Sequence, residues 1–399
     1  MKKFNNSLKN IAFFLAFSCQ LQATNSTLNA LYYVSKDTCH QLENCCLKSN
    51  SKAQEFTKNF DKTFTVDKNE VVILANKYGK IEVKTGGTNQ VVVNVRVRVN
   101  ASSQDDAQKM FDRVNIAFSN GPDYVKTETL IESQNNGGWN WSWGKSRNSD
   151  FAIDYEVMMP VNSRLDLSNK YGNSHIAALN ASVNVEQKYG DFKLDGATAA
   201  VIELAYGGGQ LGTISALSAT VSYGKLTAQN VDAARLRTKY SEFKFAKIKV
   251  ADVQTAYDDY EIDDVETLKI DGKYGDISVG TVKDLTAKGS YTDFKIKLIE
   301  GNADLQTNYG DVAIGTVKSG FGNINIKGNY TDFSIGMDSS VSYLLDAAGS
   351  YGSIKHPTSI KTSMDSEAGN RREIVGTVGN PSSKSVLKVR LNYGDLRIR

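Results

Sequence analysis

The sequence predicts an all-β chain: a parallel, β-helix-like solenoid of about 17-residue coils, preceded by a strand-rich region that contains one short helix. Three observations predict it. Tyr189, Tyr206, Tyr223, Tyr240, Tyr257, Tyr274 and Tyr291 each follow the last by 17 residues, the fixed short period of a stacked repeat. Apolar residues recur at constant offsets from each tyrosine, so the period extends to the core. Glycines number 32 against 4 prolines, and Val, Ile, Tyr, Phe and Thr abound, which favours strands joined by glycine turns.

The first residues read as a targeting segment. Lys2, Lys3 and Lys9, with no acid among them, precede the apolar run Ile11–Phe17 and then Leu21-Gln22-Ala23, the order of a secretory signal peptide. The run is too short to span a bilayer. Ala16-Phe17-Ser18-Cys19 loosely resembles a lipoprotein box, so a lipid anchor at Cys19 stands as a second reading of residues 1–23. Losing three lysines takes 47 basic residues to 44, equal to the 44 acidic ones. A neutral chain offers no basic face for nucleic acid. No later segment is long and apolar enough for a transmembrane helix.

Residues 24–60, polar and without period, read as a flexible leader. It holds Cys39, His40, Cys45 and Cys46. Three cysteines beyond the signal allow at most one bridge, and no second spaced pair completes a zinc site. No metal and no cofactor is expected.

Residues 61–165 read as a β-rich capping region, ordered from about Phe64. Val71–Leu74 leads into Asn76-Lys77-Tyr78-Gly79, an early copy of the tyrosine unit, and Val91 to Val99 alternates with period two. Ser103 and Asp106 form a capping-box pattern ahead of Ala107, Met110, Phe111 and Val114, which share one helical face. Strands follow at Val114–Phe118, Tyr124–Ile131 and Phe151–Val157. Between the last two lie all three tryptophans, Trp139, Trp141 and Trp143. Their alternation puts three indoles on one face of an extended segment. Exposed, they make a candidate ligand platform for sugars or headgroups; buried, they plug the end of a core, the commoner fate of large aromatics.

Residues 166–356 carry the repeat. Val185, Ile202, Leu236, Val253, Ile270 and Leu305 stand four residues before their tyrosines, and tyrosine shares their parity. The expectation is therefore a structural ladder of Tyr189 through Tyr291 and Tyr309 pointing into the core. Three and five residues after, pairs such as Phe192 and Leu194, or Phe243 and Phe245, show the parity slipped by one, as a bend at the following glycine would produce. A further column runs Ile214, Val231, Ile248, Val265, Val282, Ile299 and Val317. Tyr309, Tyr330 and Tyr351 are 21 residues apart. Residues 357–399 read as a polar loop followed by a last coil at Tyr393 that caps the open end.

The chemistry on offer is sparse. Asp191, Glu242, Asp259, Asp276, Asp293, Asp311, Asp332 and Asp395 follow their tyrosines by two residues. A cation-gathering column is one reading; Asx turns closed by the local side chain are the preferred one. Gly207–Gly212 matches G-x-G-x-x-G but lies in repeat register with no helix after it. His40, His175 and His356 are scattered, and no serine sits in a nucleophile elbow.

Taken in this order, the Asn76–Gly79 unit, the Val91–Val99 strand with its helix, Asn169–Asn173, the repeats and Val375–Gly379 before the last Tyr-Gly-Asp unit resemble the bacterial adhesin-like β-solenoid family, a domain of unknown function with Tyr-Gly-Asp repeats. The resemblance runs from about Phe60 to Arg399. It implies an exported, non-enzymatic protein of the bacterial periplasm, outer membrane or cell surface, and transfers no catalytic residue. The expected function is adhesin-like binding or scaffolding, with a surface glycan or an envelope protein as partner. The alternatives are a polysaccharide-acting enzyme on the same scaffold and a purely structural or sensory envelope component.

Overall fold

The computed structural model describes residues 53–67, 70–87, 89–132 and 151–399. The chain divides into two compact units, Met1–Lys52 and Ala53–Arg399, and every described residue belongs to the second. The targeting segment, the four cysteines and Trp139, Trp141 and Trp143 lie outside the described residues. Among the described residues the fold is nearly all β, with 22 strands in one mixed sheet and one helix.

The unit opens with β1 (Gln54–Thr65), β2 (Val71–Lys77), β3 (Ile81–Thr85), β4 (Gln90–Ala101), α1 (Gln104–Phe111), β5 (Val114–Asn120), β6 (Tyr124–Ile131) and β7 (Phe151–Met159). β1 pairs antiparallel with β4 along its whole length, from Gln54 opposite Ala101 to Thr65 opposite Gln90. Residues 54–60, expected as leader, are therefore strand. Their polar composition hid a sparse apolar pair, Phe56 and Phe60, that packs on the core beside Phe64. β4 reads as expected: Val91, Val93, Val95, Val97 and Val99 are all buried, and its other edge pairs antiparallel with β7. In α1 the Ser103 hydroxyl accepts the Asp106 backbone N–H at 3.2 Å, and Ala107 and Phe111 are buried.

Parallel pairing then takes over. β2 lies beside β8 (Arg164–Lys170), β3 beside β9 (Ser174–Ile176), and β8 beside β10 (Ser182–Lys188). β11 (Phe192–Ala205), β12 (Gly208–Ser222), β13 (Lys225–Lys239), β14 (Glu242–Ala256) and the start of β15 (Asp259–Val317) pair successively in parallel, each residue opposite the one 17 later. β16 (Asn323–Met337) follows β15 at an offset of 21. All the apolar columns named from the sequence are buried, so equivalent residues of successive segments stack into one continuous core.

The C-terminal end departs from expectation. β21 (Val386–Asn392) does not close the end. It pairs in parallel with β16 on one side and with β17 (Tyr343–Ser350) on the other, inserted between them. β18 (Ile354–Lys355) and β22 (Leu396–Ile398) continue these two levels. The expected loop of 357–386 carries a hairpin, β19 (Lys361–Ala368) and β20 (Arg371–Val378), and β20 covers the outer edge of β17 antiparallel. Reversing direction ends the parallel register. The outermost strand, β19, is exposed throughout and carries Lys361, Asp365 and Glu367, charges that blunt an edge.

The expected inward tyrosine ladder is also corrected. Tyr171 to Tyr393 are 41–55% exposed at the ladder positions, outside the core. Parity failed because the chain turns at the tyrosine itself. All 13 tyrosines of the series, Tyr78 included, have φ between 53° and 63°, the left-handed region, which ends the strand one residue earlier than a bend at glycine would.

Candidate functional site

Each corner is built from five consecutive positions centred on the tyrosine. Two residues before the tyrosine the side chain is buried. In the first levels it is polar and satisfies corner carbonyls: Asn76 Nδ2 donates to Ile153 O at 2.8 Å, Asn169 Nδ2 to Gly79 O at 3.1 Å and Gln187 Nε2 to Gly172 O at 2.5 Å. The tyrosine turns outward. The residue after it sits against the previous level: a Cβ on Gly172 would lie 1.8 Å from Gly79 O, on Gly190 2.1 Å from Gly172 O and on Gly207 2.0 Å from Gly190 O. At these three glycines closeness is what is needed; Gly275 and Gly310, at the same position, add a positive φ of 156° and 144°. Where another residue stands, its side chain bonds locally: Ser241, Thr292 and Thr331 hydroxyls donate to the carbonyls of Lys239, Ser290 and Asn329. Asp258 turns inward and accepts from the Thr238 hydroxyl at 2.7 Å, the Ser241 N–H at 2.6 Å and the Thr255 hydroxyl, and burial pushes its carboxyl up despite these donors.

The tyrosines stack. From Tyr78 through Tyr171, Tyr189 and on to Tyr330, Tyr393 and finally Tyr351, neighbouring ring centroids lie 4.6–5.1 Å apart with planes within 13° of parallel. Ring faces are thus covered by neighbouring rings, and the ridge presents edges and hydroxyls. It is no platform for stacking sugar rings. At the first levels Lys170 Nζ lies 5.0 Å from the Tyr171 centroid and 5.8 Å from that of Tyr189.

The carboxylates after Tyr-Gly do not close local turns as expected. Asp191 Oδ1 accepts the Gly208 N–H at 2.7 Å, Asp293 Oδ1 the Asp311 N–H at 2.8 Å, Asp332 Oδ1 the Asp395 N–H at 2.8 Å and Asp395 Oδ1 the Ser353 N–H at 2.7 Å. They tie one level to the next, and all four residues are exposed. The six from Asp259 to Asp395 form a line; burial and the neighbouring Asp293 and Asp332 push the Asp311 carboxyl up, as repulsion along such a line demands. No group of three or more metal-ligating side chains occurs among the described residues. On the other flank, one residue before each tyrosine, stand Lys77, Lys170, Lys188, Lys239 and Lys273, then Ser290, Asn308, Asn329, Asn392 and Ser350, interrupted by Ala205, Ser222 and Ala256, with no acid in the column. The ridge therefore runs between a donor flank and an acidic flank.

A cavity of about 610 Å³ lies at the first levels, lined by Glu128, Glu132, Glu186, Lys77, Lys170 and Lys188 with polar neighbours and the apolar Leu130 and Ile131. Glu186 is held low by the Lys188 ammonium that bonds it, and Glu128 pairs with Lys126 at 2.5 Å. Asn169 Oδ1, on its wall, has no hydrogen-bond partner. His175 is exposed beside Asp195 at 3.1 Å, and His356 contacts the Pro357 carbonyl oxygen; neither lines this cavity. The G-x-G-x-x-G glycines serve packing: a Cβ on Gly212 would lie 2.0 Å from Asp195 O.

No family model and no curated protein matches the chain. Solved structures to which it is similar include a candidate cell adhesion protein from Clostridium sporogenes, 9% identical over 86% of this chain and 99% of its own, TM-score 0.18. A candidate adhesin from Parabacteroides merdae is 12% identical over 70% and 92%, TM-score 0.26. A candidate lipid binding protein from Parabacteroides distasonis is 10% identical over 87% and 97%, TM-score 0.23. At these scores the site rests on its own residues. No helix among the described residues is long and apolar enough to cross a membrane.

Proposed function

We propose that the chain is an exported, non-catalytic binding or scaffolding protein of the bacterial cell envelope, built as a parallel β-solenoid, whose contact surface is the tyrosine ridge. One observation carries this reading. Twelve half-exposed tyrosines in one line present on the order of 1,000 Å² of aromatic surface. The largest apolar patch of a typical monomer is roughly 300–600 Å², and larger ones mark interaction sites. The successive 17-residue offsets of parallel pairs support the solenoid. A glycan array and a whole-cell adherence assay on the full chain test the reading, beside a Tyr223→Asn/Tyr257→Asn/Tyr291→Asn variant that keeps its circular dichroism. Binding that the variant loses is expected; binding unaffected by the variant contradicts it.

A polysaccharide-acting enzyme is the second reading, favoured by one observation: the cavity brings Glu128, Glu132 and Glu186 together with three lysines. Glycoside cleavage needs one carboxyl kept protonated as acid. The ammonium that holds Glu186 ionised and the Lys126 partner of Glu128 weigh against that role. Release of reducing ends from cell-wall polysaccharide, abolished by Glu132→Gln, would revive it.

A further inference from the structure

We infer that the tyrosine ridge pairs with the ridge of a second copy of this chain, the two ladders running in the same direction about a two-fold axis parallel to the stack. The inference rests on the ridge being a contact surface and names its occupant. Area, period and charge carry it.

The aromatic surface alone, on the order of 1,000 Å² per copy, reaches the roughly 800 Å² per partner of a stable protein interface. The period narrows the choice of partner. Rungs repeat every 4.6–5.1 Å over twelve steps, and a partner of any other spacing falls out of step within a few rungs. A second ladder of the same chain keeps step throughout. Because the ring faces are already covered, the contact is edge to edge, rung against rung.

Charge then selects the direction. Rotation about an axis parallel to the stack sets each rung's donor flank opposite the acidic flank of the same rung in the other copy. Lys239 then faces Glu242, which also holds Lys225 at 2.7 Å, and Lys273 faces Asp276, all on exposed positions, while the half-buried Lys188, bonded to Glu186 of its own chain, faces Asp191. Farther along, Asn308 faces Asp311, Asn329 faces Asp332 and Asn392 faces Asp395, and the Asp332 and Asp395 carboxylates each use only Oδ1 for their inter-level bond. Lys77 opposite Lys80 is the one like-charged match. The opposite arrangement, with the ladders antiparallel, sets acidic flank on acidic flank, Asp259 against Asp259 and Glu242 against Asp276. Opposed like charges exclude it.

Sedimentation velocity of the full chain, with reductant to prevent intermolecular disulfides, tests the inference. The expected result is a concentration-dependent dimer. Tyr223→Asn/Tyr257→Asn/Tyr291→Asn should weaken it at least about tenfold, as should Lys239→Glu/Lys273→Glu, and adding Glu242→Lys/Asp276→Lys to the latter should restore it. In a Tyr330→Cys variant the two substituted positions of a pair should join in a disulfide between copies on mild oxidation, seen by peptide mapping; a need for Tyr189→Cys as partner would mean antiparallel ladders and overturn the inference. A monomer up to about 100 μM, far above the working range of nanomolar to micromolar interfaces, or a dimer indifferent to these substitutions, overturns it too. A monomer whose tyrosine variant loses glycan or cell binding overturns only the choice of occupant and leaves the contact-surface reading standing.

Discussion

A tyrosine at each corner carries a conformational cost that its neighbours offset. The left-handed region costs a non-glycine residue roughly 1–2 kcal/mol, and a stacked aromatic pair returns about 0.5–1.5 kcal/mol. An internal rung makes two such pairs, so the two effects nearly balance. Tyr223→Asn, which tolerates the backbone but loses both stacks, should destabilise by about 1–2 kcal/mol. Tyr351→Asn, at the ladder's end with a single stack, should cost less, and chemical denaturation of the two variants would show the order. Elsewhere a residue is left unsatisfied: Tyr343, fully buried, has a hydroxyl without a partner, and burial pushes it up to about 12. Tyr343→Phe should therefore stabilise, by about 1 kcal/mol, and a lowered melting temperature would show that the hydroxyl is in fact bonded. Asp258 supplies a pH dependence. Its folded value lies above the ordinary 3.8, so the stability it contributes is complete below about pH 3.8 and is lost as pH rises through the folded value. Wild type should thus hold its largest advantage over Asp258→Asn near pH 3 and a smaller one at pH 7; an advantage that grew with pH would contradict the raised value.

Among elements, the strands between corners were legible in the sequence, the corners were not. Period-two alternation marked β4 and β7, a capping pattern marked α1, and the offsets from each tyrosine marked the buried columns four before it and three, five and eight after it, but not those two and six before it, such as Leu204 and Val221 or Leu217 and Leu268. Both the residue two before the tyrosine and the residue three after it point inward, so one residue between them has to turn. Tyrosine or glycine could do so by parity alone. What decides is the contact between levels: the glycine Cα lies on the previous level's carbonyl, a long-range closeness that local pattern does not report. Gly207→Ala, forcing a Cβ to 2.0 Å from Gly190 O, should cost about 2–4 kcal/mol. Equal stability of Gly207→Ala and wild type in urea would show that the levels can part at the corner. The aspartates were misassigned for the same reason, since an Asx turn is local and their actual acceptor bonds reach 17 or more residues along the chain.

For the whole Ala53–Arg399 unit, the repeat revealed the stacked core but not its ends. The last tyrosine in sequence, Tyr393, is the last but one in space, because β21 enters between β16 and β17 while an antiparallel hairpin takes the edge. Nothing in the spacing of Tyr330, Tyr351 and Tyr393 distinguishes insertion from closure. The site was legible as a column of residues and illegible as a surface, since its exposure depends on a backbone sign repeated at every corner. The most direct measurement is tyrosine nitration of the full chain with peptide mapping, at dilute and at high concentration. The buried Tyr155, Tyr260 and Tyr343 serve as internal references. The ridge tyrosines should react well ahead of the three references in dilute solution and become protected as copies associate. Ridge tyrosines as unreactive as the references at every concentration would place the ladder inside the core and contradict the account.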